Sequence, residues 1–120
     1  MLLVVDDEPR FCEFVKNVAV KLDFECARDG QEFKTLCDAR HPDVAVLDIV
    51  MPGIDGIELV QWLAERGKQL HLVIVTGFAP NYATFAKKLG EAKGLLSVTT
   101  LTKPVRMAEL QDAIRRAEVA

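Results

Sequence analysis

Basic charge is not in excess in this chain of 120 residues: 15 Lys and Arg stand against 18 Asp and Glu, a formal charge of −3. That balance argues against sequence-independent nucleic-acid binding, which depends on neutralising phosphates with basic side chains. It also leaves no polybasic footprint for a membrane surface. Long apolar runs are missing as well. The longest are four or five residues, against the roughly 20 that cross a bilayer. Asp6, Asp7 and Glu8 interrupt the N-terminal apolar run after Val5, so no signal peptide is visible. A cytoplasmic location is the expectation. Cysteine is sparse, at Cys12, Cys26 and Cys37, and the spacings of 14 and 11 residues form no CxxC pair. The expectation is reduced, mostly buried thiols. His41 and His71 have no ligand-like spacing, so no thiolate or imidazole metal site is expected. Aromatic residues make up only 7%. Phe11, Phe14, Phe24 and Phe33 read as packing groups, and Trp62 as packing or surface.

What is present is half hydrophobic and 28% charged, an ordinary composition for one folded domain spanning 1–120. Two kinds of segment alternate. Leu2–Val5, Val44–Leu47 and Leu70–Val75 are short runs rich in Val, Ile and Leu, the last interrupted only by His71, as in strands buried on both faces. Phe24–Ala27 and Ser97–Thr102 are weaker strands, the second rich in Thr and Val. Between them, Phe11, Val15, Val18, Ala19 and Leu22 share one helical face. Further helices run from about Gln31, through Ile57, Leu59, Val60 and Leu63, through Phe85, Lys88 and Leu89, and through Leu110, Ala113, Ile114 and Ala117. Five β-α units imply an α/β fold with a parallel sheet and helices on both faces.

In such sheets the functional crevice lies at the carboxyl ends of the strands. The first strand runs into Asp6, Asp7 and Glu8, the third into Asp48, the fourth into Thr76 and the fifth into Lys103. The second ends near Arg28-Asp29-Gly30 and reads as a simple turn. Asp6, Asp7 and Asp48 would crowd three carboxylates together, and a hard divalent cation relieves their repulsion. Mg²⁺ suits one or two carboxylates, waters and a phosphate oxygen. Lys103 would pair with Asp48 or with an oxygen of a bound group, and Thr76 would offer a hydroxyl. The set suits phosphoryl transfer through an aspartyl-phosphate. Singly, each residue has an ordinary role in a turn, a helix terminus or a solvated surface. Jointly, four strand ends would have to coincide.

VVDDEP (4–9), VLDIVMPGIDG (46–56), VIVTG (73–77) and LTKP (101–104) together resemble the signature of two-component response-regulator receiver domains. The resemblance spans essentially the whole chain. It implies a flavodoxin-like (βα)5 fold with strand order 2-1-3-4-5. It implies that Asp48 is the phosphoacceptor, that Asp7 ligates Mg²⁺ directly and that Asp6 acts partly through water. The backbone carbonyl of Val50 would be a third protein ligand, Lys103 would contact the phosphoryl group and Thr76 would be the switch hydroxyl. The Lys103-Pro104 bond is expected to be cis. Implied partners are a sensor histidine kinase or phosphotransfer protein and an output domain, C-terminal or in trans. A homodimer through the fourth helix, fifth strand and fifth helix is a further expectation. No direct nucleic-acid or membrane partner is expected.

Two departures stand out. Thr100 occupies the position where the family usually carries a switch Tyr or Phe. Its small β-branched side chain has little rotamer amplitude. The 27 positions from Thr76 to Lys103 exceed the family's usual connection by roughly one helical turn. A longer fourth helix with a turn at Gly94 accounts for the excess. Segment 76–104 is also similar to receivers joined to EAL-type cyclic-di-GMP phosphodiesterase domains, which implies a larger regulator. Two other readings compete. One is a pseudo-receiver that binds or dimerises without phosphotransfer. The other is a haloacid-dehalogenase-type phosphatase, which normally carries a second Asp where this chain has Val50.

Overall fold

The computed structural model describes the backbone of residues 1–6, 9–18, 23–48, 50–51, 54–67, 69–76, 80–92, 94–95 and 97–119. Side chains are described for these except 9, 48, 50–51, 54–56, 80–83, 85–86 and 117–119. Five strands form one parallel sheet: β1 (Leu2–Val5), β2 (Phe24–Ala27), β3 (Val44–Asp48), β4 (His71–Thr76) and β5 (Ser97–Thr102). Their order is β2-β1-β3-β4-β5, the flavodoxin-like order that the resemblance implies. The connecting helices are α1 (Pro9–Val18), α2 (Gly30–Arg40), α3 (Gly56–Glu65), α4 (Pro80–Ala92) and α5 (Met107–Val119). A short antiparallel pairing of Val50–Met51 with Ile54–Asp55 follows β3.

Why the strands read as unbroken apolar runs is visible in the packing. Successive residues point to opposite faces, and both faces are covered. Leu2, Val4, Val44, Val46, Val73 and Val75 meet Phe11 and Val15 of α1 and Leu110 and Ile114 of α5. Leu3, Val5, Ala45, Leu47, Leu72 and Ile74 meet Phe33 of α2 and Leu59, Val60 and Leu63 of α3. Each fully buried aliphatic side chain contributes about 1.5–3 kcal/mol. Leu89 of α4 packs against the second face as well, so two helices cover one face and three the other. Phe11, Val15 and Val18 of the expected α1 stripe are buried. Ala19 and Leu22 lie outside the described residues, as do the side chains of Phe85 and Ala117.

Helix boundaries have local causes. Asp29, read from sequence as part of a turn, is the N-cap of α2, and its Oδ1 accepts the Glu32 N–H at 2.8 Å. The fourth helix has 13 residues. It stops at Gly94, whose φ of +98° suits glycine. The Leu95 N–H donates to the Gly90 carbonyl at 3.0 Å and the Gly94 N–H to Glu91 at 3.3 Å, which satisfies the last carbonyls of the helix. Trp62 is half-buried, edge-on to Phe33 at 6.5 Å, with Lys34 and Arg66 against its ring.

One expectation is overturned. Cys12 and Cys26 are joined in a disulfide, with Cα atoms 6.2 Å apart. The helix α1 crosses back over the β1–β2 edge, so its second turn meets the third residue of β2. A sequence spacing of 14 says nothing about such a meeting. Cys37 is the one of the three outside the disulfide, and it is buried.

Candidate functional site

The parallel register sets four chemical groups at one edge. Val5 is level with Leu47, so Asp6 and Asp48 are the next residues of neighbouring strands. Asp48 is level with Val75, and Thr76 with Thr102, which immediately precedes Lys103. Across the carboxyl edge the order is therefore Asp6, Asp48, Thr76, Lys103. The backbone extends this alignment past the strands. The Asp6 N–H donates to the Ala27 carbonyl at 3.1 Å, and the Lys103 N–H to the Thr76 carbonyl at 2.8 Å. The Lys103-Pro104 bond is cis, as the resemblance implies.

Two of the expected side chains meet. The Asp6 carboxylate is fully buried, and its Oδ2 lies 4.0 Å from Lys103 Nζ. A buried carboxylate is costly without a compensating charge, and the lysine supplies one. Lys103 in turn sits over the Phe11 ring, with Nζ 5.3 Å from the centroid, a cation–π contact. Thr76 is buried at 5% exposure. Asp48 ends β3 between these groups, and its side chain lies outside the described atoms. Val50 lies in the short pairing after β3, opposite Asp55. Asp7 lies outside the described residues.

Apart from Lys103, the groups at this edge offer oxygen donors, and the Asp6 carboxylate at one end of the row is fully buried. That fits a hard divalent cation such as Mg²⁺ rather than a soft one. Sequence reasoning missed Phe11. Its sequence context marks it as an ordinary core aromatic, yet its ring also carries Lys103 Nζ. Its position one turn after the acidic cluster was the available signal. Thr100 is exposed on the edge strand β5, so nothing aromatic stands at that place in the strand.

A doubly wound α/β domain with its polar groups gathered at the carboxyl edge is the class that this geometry defines. The chain belongs to the response regulator receiver domain family, whose model matches residues 2–115. It is similar to the positive alginate biosynthesis regulatory protein of Pseudomonas aeruginosa, with 35% identity over 121 residues, 97% of this chain and 46% of that protein. It is also similar to sporulation initiation phosphotransferase F of Bacillus subtilis, with 25% identity across 96% of this chain and 90% of that one. The chain thus spans less than half of the first relative and most of the second. Among solved structures, the signal receiver domain of an HD domain-containing protein from Pseudomonas fluorescens Pf-5 superposes with a TM-score of 0.85 at 22% identity, covering 98% of this chain and 93% of that one. That likeness shows the fold. The domain is a receiver of two-component response regulators, a signalling switch, and the phosphatase reading is set aside.

Proposed function

We propose that Asp48 accepts a phosphoryl group from the phospho-imidazole of a histidine kinase or phosphotransfer protein. The observation that supports this reading is the Asp6–Lys103 pair, which reaches over the ends of β3 and β4 and so brackets the strand end that carries Asp48. A carboxylate oxygen of Asp48 attacks phosphorus as the nitrogen–phosphorus bond breaks, and the electron pair returns to the imidazole. Lys103 balances charge on the phosphoryl oxygens, and Thr76 donates its hydroxyl to one of them. Catalysis here is chiefly positioning and charge stabilisation. Asp6, Asp7, Asp48 and the Val50 carbonyl would hold Mg²⁺, which neutralises charge on the transferred group.

The switch would start at Thr76. Its carbonyl accepts the Lys103 N–H, so movement of the β4 end is passed by the backbone to the loop after β5. That route needs no aromatic ring at Thr100. The domain would catalyse only its own phosphorylation and its return to the free carboxylate. We further propose a cytoplasmic setting and an output domain, C-terminal or in trans. Homodimers would form through α4, β5 and α5. Among the described residues no helix is long and apolar enough to cross a membrane. The pseudo-receiver reading is the weaker one, because an Asp, a Thr and a Lys with an acidic pair stand at the strand ends. The test is labelling by acetyl phosphate with and without Mg²⁺. Metal-dependent labelling of the native chain and none of Asp48→Asn is the expected result. Full labelling of Asp48→Asn would refute the assignment.

A further inference from the structure

The Cys12–Cys26 disulfide joins α1 to the edge strand β2 right beside the proposed site. Cys12 follows Phe11, the residue whose ring carries Lys103 Nζ. A cavity of about 340 Å³ opens on the same side, and Cys12, Cys26 and Asp6 line it together with Glu13, Lys16 and Arg28. Asp6 and both cysteines of the disulfide therefore share the wall of one cavity. The two residues differ in exposure. Cys12 is 9% exposed, whereas Cys26 is half-buried on the sheet edge. The Cα separation of 6.2 Å falls within the roughly 4.4–6.8 Å that a disulfide spans, so the bond can form and break without moving the backbone far.

We propose that Cys12 and Cys26 are a reversible redox-modification site, exchanged with a dithiol reductant and its disulfide, which sets how firmly α1 is held beneath Lys103. The proposal rests on the cytoplasmic receiver reading above, since cytosolic disulfides are mostly transient or redox-sensing. A thiolate of the dithiol attacks Cys26 Sγ through the cavity, and Cys12 leaves as a thiolate that takes up a proton. The second thiol of the reductant then attacks the mixed disulfide and releases Cys26. Two electrons pass to the protein, and the dithiol becomes a disulfide. Re-oxidation is the same exchange in reverse. In the bridged form α1 is fixed to β2 and Phe11 is fixed beneath the lysine. In the reduced form that tie is lost.

The experiment uses the full chain equilibrated with oxidised or reduced dithiothreitol, read by thiol alkylation after denaturation and by amide hydrogen exchange of α1. One alkylated thiol, Cys37, is expected in the oxidised sample and three in the reduced one. Exchange across α1 should be several-fold faster after reduction. The variants Cys12→Ser and Cys26→Ser should show the fast exchange in both conditions. Three free thiols in the oxidised sample would overturn the proposal, as would equal α1 exchange in the two states. Acetyl phosphate labelling should also be several-fold slower in the reduced protein. Absence of labelling in both states, with the thiol and exchange results as expected, would sink the receiver-site assignment and leave the redox pair standing.

Discussion

Lys103 Nζ and Asp6 Oδ2 lie 4.0 Å apart although the strands that lead to them, β5 and β1, are separated in the sheet by β3 and β4. Each gap between strands is about 4.8 Å. The pair can form only if the lysine leans across the intervening strand ends. This places a cation over the edge where Asp48 and Thr76 terminate, and it accounts for how a fully buried carboxylate is tolerated there.

Replacing Lys103 by Met keeps the aliphatic stem and removes the charge. Labelling by acetyl phosphate should fall by about 10²–10³-fold, the scale for losing one preorganised donor to developing charge. Far-ultraviolet circular dichroism should stay native-like. Unchanged labelling would show that the lysine serves only to neutralise Asp6.

The disulfide closes a loop of 14 residues' separation. On chain-entropy grounds its reduction should lower stability by about 3 kcal/mol. In urea, at about 1–3 kcal/mol per M, that corresponds to a midpoint about 1–3 M lower. Paired urea titrations with and without reductant measure this. Coincident curves would mean that the bridge contributes nothing to the folded state.

At Gly90 the helix α4 comes close to the sheet. A Cβ there would meet Val98 Cγ2 at 2.9 Å and Leu95 Cδ1 at 3.0 Å. Val98 is β-branched and buried, so it has little room to turn away. Gly90→Ala should destabilise by about 1–2 kcal/mol, since overpacking of about 1–3 kcal/mol outweighs the better helix propensity of Ala. Chemical denaturation reads the sign directly, and a stabilised variant would contradict this packing.

Much of the architecture was legible because each strand is buried on both faces. Continuous Val, Ile and Leu cannot serve a helix face or a half-exposed strand, so Leu2–Val5 and Val44–Leu47 stand out. The observed β3 and β4 run one residue further, into Asp48 and Thr76, because polar residues at strand ends still complete the ladder. The candidate site was legible through topology: open parallel sheets collect chemistry at their carboxyl edge. The disulfide was not, since the proximity of Cys12 and Cys26 is made by a crossover and leaves no periodic trace. The contact of His71 with Ser97, Nδ1 to Oγ at 2.7 Å, was hidden for the same reason: the two residues are paired by register and are 26 positions apart. Phe11 was placed correctly in the core, but an apolar stripe does not reveal that one of its members also carries a lysine.

Asp29 tests the local reading at the second strand end. Its side chain caps α2 and accepts from Glu32. Asp29→Ala should cost about 1 kcal/mol, the usual loss for an N-cap, with no effect on labelling by acetyl phosphate. A loss of labelling would mean that this strand end belongs to the site after all.

The central claim is that Asp48 carries the phosphoryl group. Borohydride reduces an aspartyl-phosphate to homoserine, so treating the labelled protein and mapping its peptides identifies the acceptor chemically. The account predicts homoserine at position 48 in the Mg²⁺-treated, acetyl-phosphate-labelled chain and none without the metal. Homoserine at another aspartate, with position 48 intact, would contradict it.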